Sequence, residues 1–303
     1  MGDSIELAAG EYRAVIGRRG AGLLRLEWRG HDLVWPCDEP AAPVAFQGLL
    51  LAPWPNRVAD GHYVFAGAEH RLAITEPARN TALHGLVHAE PWLPVETGPD
   101  LARLTFLLDG APGYPFRLEL TAAYRIDPVE GLHVHMTARN TGGTAAPYGT
   151  GAHPYLRIGG TLDDAVLRLP ARSRLPVDGR LLPVGAPEPV EGTEHDFGAA
   201  RRIGATVFDT AFTDLRRDPQ GRAWTVLSGA GRSVGLWADG SYGWLQVFSA
   251  DGLPGGLHRS GLAVEPMTCP PNAFATGTDL AVLAPGATAD SRFGIRALPA
   301  PRG

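Results

Sequence analysis

Phe116-Arg117-Leu118-Glu119-Leu120-Thr121-Ala122-Ala123-Tyr124-Arg125-Ile126 runs into Asp127-Pro128-Val129-Glu130-Gly131, and Leu132-His133-Val134-His135-Met136-Thr137-Ala138-Arg139 follows. In the first segment Phe116, Leu118, Leu120, Ala122, Tyr124 and Ile126 alternate with mainly polar residues. In the second, Leu132, Val134, Met136 and Ala138 alternate with His133, His135, Thr137 and Arg139. A period of two places one face of each strand in a core and the other toward water, and a turn-rich pentapeptide joins them as an antiparallel hairpin.

The same punctuation extends outward in both directions. Upstream, Ile5–Ala8, Tyr12–Ile16, Leu23–Trp28 and Leu33–Trp35 are predicted strands, broken at Gly10, Gly20 and Gly30. Downstream, Val226, Val234–Trp237, Trp244–Phe248, Leu262–Val264, Leu280–Leu283 and Phe293–Ala297 continue the pattern. The strongest helical period is short, at Phe197–Arg202, and the tail from Pro299 is expected to fray. No linker or change of composition divides the chain. We expect an all-β fold, a large antiparallel β-sandwich forming a single domain over 1–303.

Composition narrows the function classes. A net charge of −5 with no Lys/Arg cluster argues against a nucleic-acid partner, and lysine is absent altogether. No run approaches the roughly 20 apolar residues of a membrane helix, and the N-terminus lacks the pattern of a secretory signal. Cys37 and Cys269 are too few for a disulfide framework, so a cytoplasmic protein with free thiols is expected.

Chemistry concentrates around Gly48–Gly67, which reads GLLLAPWPNRVADGHYVFAG. Leu49 to Ala52 reads as a buried strand stopped by Pro53 and Pro55, and Asn56-Arg57 follows at once. A guanidinium so close to the core needs oxygen partners, either a structural carboxylate or the hydroxyls of a ligand. Asp60-Gly61 turns the chain, and His70–Ile74 is the expected partner of Tyr63–Phe65. Further on, Glu265 ends an apolar run and is halted by Pro266, where burial should raise its pKa. His153 precedes Pro154, which confines the histidine backbone to the extended region.

PWPNRVADGHYVFAG with His84-Gly85, GAHPYL at 151–156, FDTAF at 208–212, WLQVF at 244–248 and AVEPMTCPPNAF at 263–274 resemble the aldose 1-epimerases, or mutarotases, in the family's order. The resemblance implies a β-sandwich with a sugar cleft, and anomer interconversion by acid/base ring opening without cofactor or metal. It implies Glu265 as base and His153 as acid, with Asn56, Arg57, His84, Tyr155, Asp209 and Gln246 binding an aldohexose. An acid working at neutral pH would need a raised histidine pKa, through Asp209 or another carboxylate. Trp54, Tyr155 and Phe274 are the aromatic candidates for the sugar's apolar face. LAPWPNRVADG and HGLVH look closer to a short bacterial subgroup that includes mutarotases proposed for sulfosugars, which leaves the sugar open. A monomer or homodimer is expected, with no nucleic-acid or membrane partner.

Other readings remain at this level. A hexose-phosphate epimerase would need cations such as Arg79 or Arg232. A glycoside hydrolase would pair Asp209 with Glu265 and leave His153 idle. A non-catalytic sugar-binding domain would not need both Glu265 and His153. His84 and His88 have helical zinc spacing, but Gly85 opposes a helix, and we expect no metal site.

Overall fold

A computed structural model describes residues 3–37 and 43–299. The Phe116–Arg139 hairpin pairs its longest strand, Tyr114–Asp127, with Gly131–Asn140, with Thr121 opposite Thr137 and Tyr124 opposite Val134. Leu118, Leu120, Ala122 and Tyr124 are buried while Arg117, Glu119 and Arg125 are exposed, as the period of two requires.

This hairpin supplies the third and fourth strands of a nine-stranded antiparallel sheet. Its order is Leu93–Thr97, Leu101–Ala111, Tyr114–Asp127, Gly131–Asn140, Thr288–Leu298, Arg232–Ala238, Ala223–Gly229, Val166–Arg168 and Arg201–Arg202. An eight-stranded sheet runs Glu188–Pro189, Ser173–Arg174, Asp209–Thr213, Trp244–Phe248, Leu262–Met267, Gly151–Ala152 and Leu50–Leu51, with Tyr155–Leu156 also on Leu262–Met267. One hydrophobic cluster contains Leu120, Val134, Leu236 and Ile295 of the first sheet and Phe212, Leu245, Val247 and Val264 of the second. The two sheets therefore share a core, as a sandwich does. At roughly 1.5–3 kcal/mol for each fully buried large apolar side chain, this layer is the main source of stability.

Several local readings are corrected. Phe197–Arg202 is not helical: the Phe197 ring is buried in the core, Arg201 lies 3.7 Å over it, and Arg201–Arg202 pairs with Val166–Leu167 at the sheet edge. Six residues with Gly198 among them are too short to hold a helix against that packing. The one α-helix among the described residues is the single turn Ala273–Thr276. The strand expected at Leu33–Trp35 forms at His31–Asp32, with Val34 adding one bridge to Leu156. His62–Phe65 pairs with Ala68–Arg71, so the partner starts earlier than 70. Pro266 does not halt its strand, which continues to Met267. Val264 and Thr268 donate to the carbonyls of Pro154 and Thr150, and Pro266 falls between them, where the facing chain is interrupted at His153-Pro154. The tail is described only as far as Pro299; residues 300–303 lie outside the described residues.

Gly48 connects this frame to the chemistry. Its φ is +70°, and a Cβ there would sit 2.1 Å from the carbonyl oxygen of Leu23. Its N–H donates to the His153 carbonyl at 2.9 Å. Gly30 has a similar φ of +72° with nothing within 4 Å of the same position. Gly30→Ala is expected to cost about 1 kcal/mol through backbone strain alone, and Gly48→Ala at least about 2 kcal/mol more. Urea denaturation of the two variants checks this, and equal costs would show that the backbone at Gly48 yields freely.

Candidate active site

The side chains of interest stand on the face of the eight-stranded sheet turned away from the shared core. Along Trp244–Phe248, Leu245 and Val247 point to the core, and Gln246 points the other way. Along Leu262–Met267, Leu262 and Val264 enter the core and Glu265 does not. Gln246 is directly opposite Glu265, and Ala211 opposite Gln246, which brings Asp209 within reach. Gly151 pairs with Met267 and Tyr155 with Ala263, so the interrupted strand carries His153 past Glu265. Register alone thus assembles groups more than a hundred residues apart.

A cavity of about 190 Å³ forms there, lined by thirteen residues. Among them are all eight site residues read from the sequence: Asn56, Arg57, His84, His153, Tyr155, Asp209, Gln246 and Glu265. Phe46, Glu76 and Phe248 also line it and were missed. Of the expected aromatics only Tyr155 is present; Trp54 and Phe274 pack on each other at 5.3 Å within the core. Two surface hollows are larger, about 740 and 730 Å³, one beside Arg172 and Arg216, the other over His133, His135 and Trp237. Neither holds a buried acid/base pair, and His135 there is engaged by Asp290 at 2.5 Å. The small cavity is the candidate site on chemical grounds, and its size suits one sugar-sized ring.

His153 Nε2 lies 3.3 Å from Glu265 Oε1, and both residues are buried, at 5% and 2% exposure. Burial drives both toward their neutral forms. Glu265 is pushed well above the ordinary carboxylate value by desolvation, with the Asp209 charge adding to it and Arg57 opposing. His153 is pushed down to about 3 by desolvation, with Arg57 acting in the same direction. This reverses the raised histidine expected from the sequence, because Asp209 bonds Gln246 Nε2 at 2.7 Å and forms no ion pair with His153. Asp209 is itself raised, chiefly by burial.

Arg57 is held by a bidentate pair with Glu76, Nε to Oε2 at 2.8 Å and Nη2 to Oε1 at 3.1 Å. Asn56 turns its Oδ1 back on the Arg57 N–H at 2.9 Å, with φ at +55°. His84 accepts the Asn56 N–H on Nδ1 at 3.2 Å, so the proton of its neutral ring is on Nε2. Tyr155 stacks on Trp35 at 4.3 Å and donates to the Ala45 carbonyl at 3.1 Å. Phe46 meets the His84 ring at 4.5 Å. Three buried polar atoms of the lining residues have no hydrogen-bond partner in the protein: His153 Nδ1, Gln246 Oε1 and Glu265 Oε2. Such a cluster of unsatisfied groups marks a place where a polar ligand completes the bonding.

His84, His153 and Glu265 also offer metal-ligand atoms within 4.8 Å of one another, whereas His84 and His88 share no helix. The trio fits a metal poorly. A ligating histidine donates its second ring N–H to an acceptor, but His84 Nδ1 faces the Asn56 N–H donor and leaves Nε2 protonated.

A profile of the aldose 1-epimerase family matches residues 3–296. The uncharacterized protein YihR of Escherichia coli (strain K12) is 38% identical over 289 residues, 94% of this chain and 90% of its own length. Human galactose mutarotase is 29% identical over 171 residues, 54% of this chain and 48% of the human protein. The GalM/aldose epimerase homologue of C. elegans superposes with a TM-score of 0.88 at 18% identity, covering 98% of this chain and 99% of that one. Galactose 1-epimerase from Lactobacillus acidophilus NCFM gives 0.83 at 20% identity, covering 97% and 93%. Likeness at these structural identities speaks for the fold alone.

The histidine tautomer yields a direct expectation. Dialysis against EDTA should leave the melting temperature unchanged, and equimolar zinc should not raise it. A zinc-dependent rise that His84→Ala removes would show that the trio accepts a metal.

Proposed function

Because this chain belongs to the aldose 1-epimerase family, we propose that it is a mutarotase that interconverts the α and β anomers of a free aldohexose, with Glu265 and His153 as its proton carriers. The observation that carries the reading is the buried His153–Glu265 pair at 3.3 Å, beside three polar atoms without partners. The anomeric hydroxyl and the ring oxygen are bonded to one carbon, so their proton exchanges need two carriers at about this spacing.

The opposed pKa directions fit the cycle. The pair owns one exchangeable proton, which rests on Glu265 with neutral His153 or on His153 with ionised Glu265. From the second state, Glu265 takes the proton of the anomeric hydroxyl and His153 gives its proton to the ring oxygen. The C1–O5 bond breaks, the aldehyde forms, and the pair is left in the first state. Rotation about C1–C2 and closure on the other face run the transfers backward and restore the second state. Both tautomers are therefore used, and burial, by favouring the neutral one, keeps the open-chain stage within reach.

The remaining groups hold the ring. Asp209 and Gln246 accept from sugar hydroxyls, the protonated Nε2 of His84 and Arg57 Nη1, which also reaches Asn56 Oδ1 at 3.4 Å, donate, and Tyr155, Phe46 and Phe248 pack on the apolar face. Among the described residues no helix is long and apolar enough to cross a membrane.

Polarimetry of freshly dissolved α-glucose and α-galactose tests the reading, since accelerated anomer exchange without bond cleavage separates it from hydrolysis or simple binding. Glu265→Gln and His153→Asn are each expected to cut kcat about 10²–10⁴-fold while the proteins stay folded. The pH profile of kcat/KM should be a bell with limbs assigned by the pair. A second proton reaches His153 only at low pH, so the acidic limb falls below the ordinary histidine value. The shared proton leaves only when Glu265 ionises, so the alkaline limb rises above the ordinary carboxylate range. A single limb near 6.5 would instead mean that one solvent-like histidine governs the rate.

A further inference from the structure

Glu76 lies on the cavity wall, in the loop Thr75–Asn80, yet has nothing left to offer a ligand. Its Oε2 accepts from Arg57 Nε at 2.8 Å and Thr81 Oγ1 at 2.7 Å. Its Oε1 accepts from Arg57 Nη2 at 3.1 Å and Arg79 Nη1 at 2.8 Å. A carboxylate has about four acceptor sites, so this one is saturated and can act on a substrate only through its partners. The partner that matters is Arg57, whose side chain is 10% exposed.

Arg57 is the shared electrostatic neighbour of the site. Its charge bears on His84, His153, Asp209 and Glu265, while Tyr155, the remaining titratable neighbour apart from Glu76 itself, responds to burial, Glu265 and Asp209. Arg79 and, in the opposite direction, Glu76 itself also act on Asp209, and His153 and His88 act on His84. A lone guanidinium here would draw Glu265 toward its ionised form and hold His153 further from protonation. Glu76 offsets that field and fixes the fork by two parallel bonds, leaving the Nη1 edge free of the pair.

We propose that Glu76 is a positioning residue for the epimerase reaction, which aims Arg57 at the sugar and moderates its field so that the Glu265–His153 pair keeps its single proton around neutral pH. The proposal rests on the mutarotase reading above. Two separable consequences follow: geometry affects sugar binding, and charge affects the pH window.

Glu76→Gln removes the charge and breaks one bond of the fork. The expected result is a roughly tenfold rise in KM with a smaller change in kcat at the optimum, because the lost contact serves ground and transition states alike. The whole bell should also move to lower pH, by about one unit, since an unmoderated Arg57 favours loss of the shared proton. Glu76→Asp keeps the charge but shortens the reach, so KM should rise with the bell unmoved. That variant carries the test if Glu76→Gln fails to fold. A titration of the Glu265 carboxyl by 13C NMR supplies a readout without turnover, with its midpoint lower in Glu76→Gln than in wild type. In an Arg57→Gln background the added Glu76→Gln should leave that midpoint unmoved. Wild-type KM and bell in folded Glu76→Gln, or a midpoint shift that survives Arg57→Gln, would overturn the role. A wild-type protein that moves no aldose would refute the mutarotase reading, and the carboxyl titration would still decide whether Glu76 governs the pair through Arg57.

Discussion

Desolvation of the His153–Glu265 pair is the constraint on which the rest of the site depends. In water a carboxylic acid and an imidazole would exchange protons with solvent and hold unlike charges. At 5% and 2% exposure neither ion is well solvated, and the neutral tautomer gains ground on the ionic one. The energetic gap between the two placements of one proton narrows accordingly. For an isomerisation whose forward and reverse steps need both placements in turn, near-equality is the useful condition. Neighbours then trim it: Asp209 favours the protonated carboxyl, Arg57 the ionised one, and Glu76 restrains Arg57.

The placement of that pair follows from strand register rather than from loops. Glu265 sits on a central strand between Trp244–Phe248 and the interrupted chain 151–156, with Gln246 fixed as its cross-strand neighbour. A one-residue slip of Leu262–Met267 would carry Glu265 into the core and Val264 onto the cleft, at a cost of several kcal/mol in burial alone. The same alternation that builds the sandwich therefore fixes which side chains meet the ligand. Gly48 extends the control to His153 from the other flank, where only glycine fits against Leu23.

How much of this was legible in the sequence depended on what each residue's neighbours revealed. The Phe116–Arg139 hairpin was plain because its alternation is local. The eight expected residues were found because the short motifs that carry them resemble those of the aldose 1-epimerases, as with Asp209 in Phe208–Phe212. Glu76 escaped because its role is set by Arg57, nineteen positions away, and a polar loop gives a glutamate no pattern. Phe46 escaped because it stands in no periodic segment and reaches the cavity through two successive left-handed residues, Ala45 and Phe46. His153 lines the cavity, but its pKa moves opposite to the expectation, since the loss of solvent around it is visible only in three dimensions. Phe197–Arg202 failed for the opposite reason, a local period too short to outweigh packing of Phe197.

Strain and unsatisfied bonding gather at the same cavity. Ala45, Phe46, Asn56 and His84, four of its thirteen lining residues, have φ between +48° and +61°. Each such residue costs of the order of 1 kcal/mol or more, and each unpaired buried polar atom about 1–3 kcal/mol. The sandwich core can sustain that load because its apolar layer spans both sheets without interruption by the site. His153 Nδ1, Gln246 Oε1 and Glu265 Oε2, held on a rigid sheet and facing the cavity, have no partner within the protein, and the hydroxyls of a sugar would complete the bonding the fold leaves open.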